Sequence, residues 1–171
     1  MKNITETELK KILEAHKLWL LSKYKEGKRA DLSEANLRNA YLKEANLRNA
    51  DLEDATLNCA TLYGADLSHA NLAYANLKEA DLINADLSHA NLAYANLRGA
   101  NLAYANLRGA NLRNADLTDA NLYEAIVTDT ILEEKEKVES SNLRAKFDEF
   151  AKSLGVEIVS LTVKRTETIN L

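Results

Sequence analysis

Residues 30–69 read ADLSE ANLRN AYLKE ANLRN ADLED ATLNC ATLYG ADLSH, and this stretch decides the fold. Its period is five. Leucine falls at every fifth position from Leu32 to Leu122, nineteen times without a skip, and Val127 and Leu132 keep the register. Alanine stands two residues before each centre from Ala30 to Ala125, and Thr130 closes that series. The pattern makes 21 pentads over residues 30–134.

Five suits no ordinary element. On an α-helix, successive leucines would step round by a net angle of about 140° and form no stripe. On a flat strand an odd period would send them to alternate faces. A chain that buries every leucine must therefore turn a corner within each pentad. Ala and Leu are two apart, so in a short extended segment both point inward. The residue between them points out, and the last two make the corner. That between-residue is Asn or Asp in sixteen of the 21 pentads, side chains that bond readily to nearby backbone groups. Each coil can bury its apolar positions only by stacking on its neighbours, which predicts a solenoid. Residues 66–77 and 86–97 share the same twelve letters, DLSHANLAYANL, twenty apart. Four corners close a square, so four pentads predict one coil.

The run ADLSEANLRNAYLKEANLRNADLEDA resembles the pentapeptide repeat family, A-(D/N)-L-x-x in tandem. The resemblance implies a β-solenoid, a right-handed quadrilateral β-helix with Leu and Ala inside. Tyr41, Thr56, Thr61, Ile126 and Ile131 depart from the Asn/Asp place.

A β-helix has two open ends that need covers. Residues 1–29 are expected to supply an N-terminal helical cap. Thr5-Glu6-Thr7-Glu8 is a capping box. Leu9, Ile12, Leu13, His16, Trp19 or Leu20, and Tyr24 then recur at helical spacing over residues 5–26, with Gly27 as the stop. The stretch from His16 to Leu20 resembles the His-x-x-Trp-Leu segment that precedes many pentapeptide arrays. His16 reads as structural, with no partner cluster near it in sequence.

Residues 135–171 are expected to form a helix and a strand. Leu143, Phe147, Phe150, Ala151 and Leu154 share one helical face, with Ser141 as cap and Gly155 as stop. Val159, Leu161, Val163, Ile169 and Leu171 then share one parity, as in a long strand. A strand of that length needs an edge to pair with. A second copy supplies one most simply, which makes Phe147, Phe150, Leu154, Val159, Leu161 and Val163 an expected homodimer interface. A cap folded back within one chain is the alternative.

Composition narrows the function. The 171 residues include 29 Leu and 26 Ala but no Pro, five Gly and one Cys. One cysteine excludes an intrachain disulfide and a thiolate zinc cage. The net charge of −4 argues against direct nucleic-acid binding. Absence of a signal-like start and of a long apolar run suggests a cytoplasmic protein that neither enters nor crosses a membrane. Charge is uneven: residues 30–134 carry seven Lys/Arg against sixteen Asp/Glu, and residues 1–29 carry eight against four.

Chemistry-bearing residues are sparse. His69 and His89 lie twenty apart and should stack on one face. Two imidazoles fall short of the three or four ligands of a zinc site, so no metal is expected. Tyr74 and Tyr94 stack likewise, with Tyr104 two pentads on. They read either as a binding strip or as cross-strand pairs that stabilise the surface. Cys59 occupies an outward corner and reads as inert. Nucleophile–base sets and phosphate-cradling loops are not evident, so no catalytic residue and no cofactor is expected. The resulting expectation is a non-enzymatic scaffold, self-associating through its tail and meeting another protein on its outward faces. The family resemblance adds an alternative. Some pentapeptide repeat proteins are similar to double-stranded DNA in width and charge, and they inhibit or protect DNA gyrase. Here Arg38, Arg48, Arg98, Arg108 and Arg113 interrupt the acidity.

Overall fold

A computed structural model describes residues 2–132. It consists of a short strand β1 (Lys2–Asn3), a helix α1 (Glu6–Leu21) and a coiled array that includes the paired segment β2 (Ala35–Asn36). From Asp31 to Ile131, each outward residue of a pentad pairs in parallel with the residue twenty further on, beginning with Asp31 and Asp51 and ending with Asn111 and Ile131. One coil is therefore four pentads, as the spacing predicts.

The pentad Ala90–Tyr94 shows why the repeat has its form, because every backbone N–H has a destination. Asn91 N–H donates to the Ala70 carbonyl of the coil below at 2.9 Å. Leu92 and Tyr94 donate to the Asn111 and Arg113 carbonyls of the coil above, both at 2.7 Å. Ala95, the first residue of the next pentad, closes the turn by donating to the Leu92 carbonyl at 3.0 Å. That leaves Ala93 N–H, which donates to the Asn91 side-chain Oδ1 at 3.3 Å. The Asn/Asp preference thus has a backbone cause, although Tyr41, Thr56, Thr61, Ile126 and Ile131 keep the same register without it. Only a short side chain carrying an oxygen reaches the N–H two residues on. The absence of proline follows as well, since all five N–H groups are in use.

The corners carry strain. The last residue of each pentad, from Glu34 to Asp129, has φ between 51° and 66°, which the third residue of such a turn requires. Only three of these twenty corners hold glycine. The others place an ordinary side chain in the left-handed region, at a cost of about 1 kcal/mol each.

Inside, the leucines from Leu32 to Leu112 are 0–3% exposed, and most alanines beside them are equally buried. Thr130 occupies an alanine place and is buried. Its hydroxyl donates to the Val127 and Leu107 carbonyls at 2.7 and 3.1 Å.

At the N-terminal end, β1 pairs in parallel with β2 (Lys2 with Ala35, Asn3 with Asn36) and adds one rung below the first coil. Ile4, Leu9, Ile12 and Leu13 pack against the leucine core. The capping box forms: Thr5 Oγ1 accepts from Glu8 N–H at 3.2 Å, and Glu8 Oε2 accepts from Thr5 N–H at 2.8 Å. The Thr5 N–H and the Thr5 hydroxyl both donate to Glu8 Oε2, and this holds the carboxyl below its ordinary range.

The helix ends five residues earlier than its apolar spacing suggests. After Leu21 the Ser22 hydroxyl gathers the chain, accepting from Lys25 and Glu26 N–H at 3.2 and 2.9 Å. Lys23 and Tyr24 turn into the left-handed region. Tyr24 therefore lies outside the helix, and its ring meets Trp19 at 4.4 Å between centroids. Gly27 ends this loop instead of the helix. It packs so closely on α1 that a Cβ there would sit 2.3 Å from the Ala15 carbonyl oxygen. None of the described helices is long and apolar enough to cross a membrane.

Candidate functional site

The square section sorts outward residues into straight columns one coil apart, on four sides and four corners. Two of these columns hold the residues singled out by the sequence. His69 and His89 stack at 5.1 Å between ring centroids with planes 12° apart. Tyr74 and Tyr94 stack at 5.0 Å with planes 5° apart, and each is about half exposed, at 53% and 52%. Both separations match the spacing of hydrogen-bonded strands, about 4.8 Å, so the ladder beneath sets them. The histidine column continues into Gly109. A Cβ there would approach His89 Nδ1 to 2.6 Å, so the glycine leaves room for the ring. Among the described residues, no group of three or more His, Cys, Asp or Glu is arranged to hold a metal ion.

Tyr104 does not join the Tyr74–Tyr94 column. It is ten residues from Tyr94, half a coil, and so stands at the opposite corner. There it meets Tyr123 edge-on at 5.5 Å between centroids. The sequence reading missed this side. The third side and its corner collect Tyr41, Tyr63, Ile83, Tyr104 and Tyr123, and Tyr41 is 75% exposed. Lys43 Nζ lies 5.3 Å from the Tyr63 ring centroid, and Asn84 Nδ2 donates to the Tyr63 hydroxyl at 3.2 Å. The Glu124 carboxylate beside the Tyr123 hydroxyl raises that phenol above its ordinary value. The signal was available: Tyr63 and Tyr123 differ by sixty residues, three whole coils.

Cys59 is exposed at a corner with φ 57°, and its Sγ lies 3.7 Å from Glu79 Oε2, an acidic neighbour. Cations stand beside several of the array's carboxylates. Arg29 pairs with Asp51 at 3.2 Å, Lys78 with Glu79 at 3.4 Å and Lys43 with Glu44 at 3.7 Å. Arg98 with Asp119 and Arg108 with Asp129 are each 3.8 Å apart. Such exposed pairs contribute little stability, but they break up the negative field along the rod.

The first coil holds one further polar group. His16 on α1 is fully buried and stacks on Trp19 at 5.5 Å between centroids. Its Nδ1 accepts the Ala30 N–H at 3.1 Å. In later pentads the corresponding alanine N–H donates to the leucine carbonyl three residues back. Ala30 opens the array and has no such leucine, so the imidazole supplies the missing acceptor. The predicted interface residues Phe147, Phe150, Leu154, Val159, Leu161 and Val163 lie outside the described residues, as do Ser141 and Gly155.

The family model for pentapeptide repeats, in eight copies, matches residues 30–68, 60–93 and 95–133, more than half of the chain. Among solved structures the chain is similar to Rfr23, a pentapeptide repeat protein of the cyanobacterium Cyanothece 51142. The two share 41% identity with a TM-score of 0.53, over 54% of this chain and 64% of that one. It thus spans less than two thirds of that relative's length. It is also similar to a pentapeptide repeat protein of the Arabidopsis thaliana thylakoid lumen, at 29% identity and a TM-score of 0.58 over 65% of this chain and 74% of that one. No curated protein matches it significantly. The five-residue period, the twenty-residue coil and the family match agree: the chain belongs to the pentapeptide repeat family, whose members form right-handed quadrilateral β-helices.

Proposed function

We propose that the protein is a non-enzymatic scaffold of the cytoplasm, which self-associates through residues 140–171 and presents its flat outward faces to another protein. The observation that carries this reading is where the array places its chemistry. Inward positions are buried leucine and alanine, whereas Tyr, His, Lys, Arg and carboxylates stand outward in straight columns. A solid apolar core has no room for converging polar groups of the kind a catalytic pocket uses. Columns of exposed tyrosine, by contrast, are what protein interfaces favour. A free thiol at Cys59 suits a reducing compartment.

The homodimer rests on the sequence of the tail, where apolar residues recur at helical spacing and then at the alternation expected of a long strand. Sedimentation of the full chain at micromolar concentration tests it. The expected result is a dimer that becomes a monomer when Phe147 and Phe150 are both replaced by Asp. A monomeric full chain overturns the assembly reading. DNA mimicry against gyrase is the competing function. It predicts that the same protein at micromolar concentration alters supercoiling, whereas the scaffold reading predicts no effect. The cations beside Glu44, Asp51, Glu79, Asp119 and Asp129 favour the scaffold.

A further inference from the structure

We propose that α1 is an acid-released lid on the first coil, with His16 as its latch. The argument starts from what the imidazole does. Nδ1 accepts the Ala30 N–H at 3.1 Å, so it carries no proton, and the ring is neutral with its proton on Nε2. Protonation puts a hydrogen on Nδ1 and converts the acceptor into a donor that faces another donor. The bond is then lost, and two N–H groups are forced together in a site closed to solvent.

The surroundings offer a charged ring little compensation. Burial is the largest influence and holds His16 below its ordinary value. The Arg48 carbonyl of the first coil works in the opposite sense, and the Arg29 guanidinium, on the segment leading into the array, opposes a second positive charge. On α1 itself the ring's stacking partner is Trp19, which is uncharged. The groups acting on the ring therefore include no carboxylate that would stabilise an imidazolium.

The direction of the pH effect follows. The folded value is depressed, so the latch contributes its full stability above the unfolded value of about 6.5 and loses it as pH falls towards the folded value. His69 and His89 are exposed corner residues and are not part of the device.

Leu9, Ile12 and Leu13 seat α1 on the leucine core, and the His16–Ala30 bond ties its far end to the array. The Lys28 N–H to Ala15 carbonyl bond at 3.2 Å, with the close seat of Gly27 against Ala15 and Trp19, ties that end to the segment leading into the array. Release uncovers the end of the leucine core and the Ala30 N–H, at the open end of a coil of the kind β-rich proteins normally keep covered.

The full chain tests this directly, because its only tryptophan is the ring stacked on His16. Trp19 emission and exchange of the Ala30 amide, corrected for intrinsic pH dependence, are followed from about pH 7.5 to about pH 5, above most carboxylate titration. The expected result is a red shift of Trp19 together with at least about tenfold faster Ala30 exchange, while amides of the central coils stay protected. The His16→Asn variant keeps an acceptor near Nδ1 but does not titrate, so it should lose the step. His69→Gln with His89→Gln should keep it. If His16→Asn perturbs the lid at all pH values, the wild-type imidazole resonances decide, because the His16 titration and the Ala30 exchange must share one midpoint below about 6.5. Unchanged Trp19 and Ala30 signals across the range, or a step retained in His16→Asn, overturns the proposal.

Discussion

Replacing Asn91 by alanine isolates the bond that gives the repeat its polar letter. Asn91 Oδ1 accepts from Ala93 N–H at 3.3 Å and from Asn111 Nδ2 at 2.9 Å, and Asn91 Nδ2 donates to Asn71 Oδ1 at 3.1 Å. Alanine removes all three. At a net contribution of about 0.5–1.5 kcal/mol per bond, the loss lies between about 1.5 and about 4.5 kcal/mol. The side chain is half-buried, so water replaces part of what is lost, and the expected cost is about 2 kcal/mol. Aspartate separates the components. It keeps the turn acceptor and the bond from Asn111, but sets a carboxylate oxygen against Asn71 Oδ1, so about 1 kcal/mol is expected. Asp51 already works in this way in the same column, accepting from Asn71 Nδ2 at 3.3 Å. Guanidinium unfolding followed by far-ultraviolet circular dichroism measures the order, provided the slopes agree. Wild type should exceed Asn91→Asp, and Asn91→Asp should exceed Asn91→Ala. An alanine variant within about 0.5 kcal/mol of wild type, or above the aspartate variant, would refute the view that Asn and Asp are there for the backbone.

Other substitutions probe the core, the lid and the corners. Leu77→Ala opens a cavity at a fully buried position and should lower stability by about 3–5 kcal/mol in the same unfolding experiment. Gly27→Ala forces a Cβ to within 2.3 Å of the Ala15 carbonyl at φ +78°. It should shift Trp19 emission at neutral pH, at a local cost of at least about 2 kcal/mol, while the array's dichroism is unchanged. Cys59→Gly relieves a left-handed corner at φ 57° and should leave stability unchanged or raise it by up to about 1 kcal/mol, whereas Cys59→Val should lower it by more than about 1 kcal/mol. Equal midpoints for the glycine and valine variants would remove the strain argument.

The coil was legible because its cause is local and repeated. A leucine that must face inward every five residues, beside an alanine two before it, admits only a path with a corner in each pentad. The twenty-residue spacing then places His69 on His89 and Tyr74 on Tyr94 without coordinates. Tyr104 shows how far this extends. Its distance from Tyr94 is half a coil, and counting in twenties puts it in line with Glu124, whose neighbour Tyr123 it meets. The helix boundary was less legible. Tyr24 continues the apolar spacing, but the Ser22 hydroxyl offers the backbone N–H groups of Lys25 and Glu26 an acceptor that competes with the helix.

By itself, then, the sequence determined the period, the inward residues, the length of the coil and the columns on its surface. These depend on side-chain size and on bonds between residues two or three apart, and the inward residues recur in twenty-one pentads and the Asn/Asp acceptor in sixteen of them. Tertiary structure decided what happens where the repeat begins. No local rule joins His16 to Ala30, fourteen residues on. That bond exists because the first coil lacks a preceding pentad, and its open N–H takes the one buried acceptor that α1 brings to it.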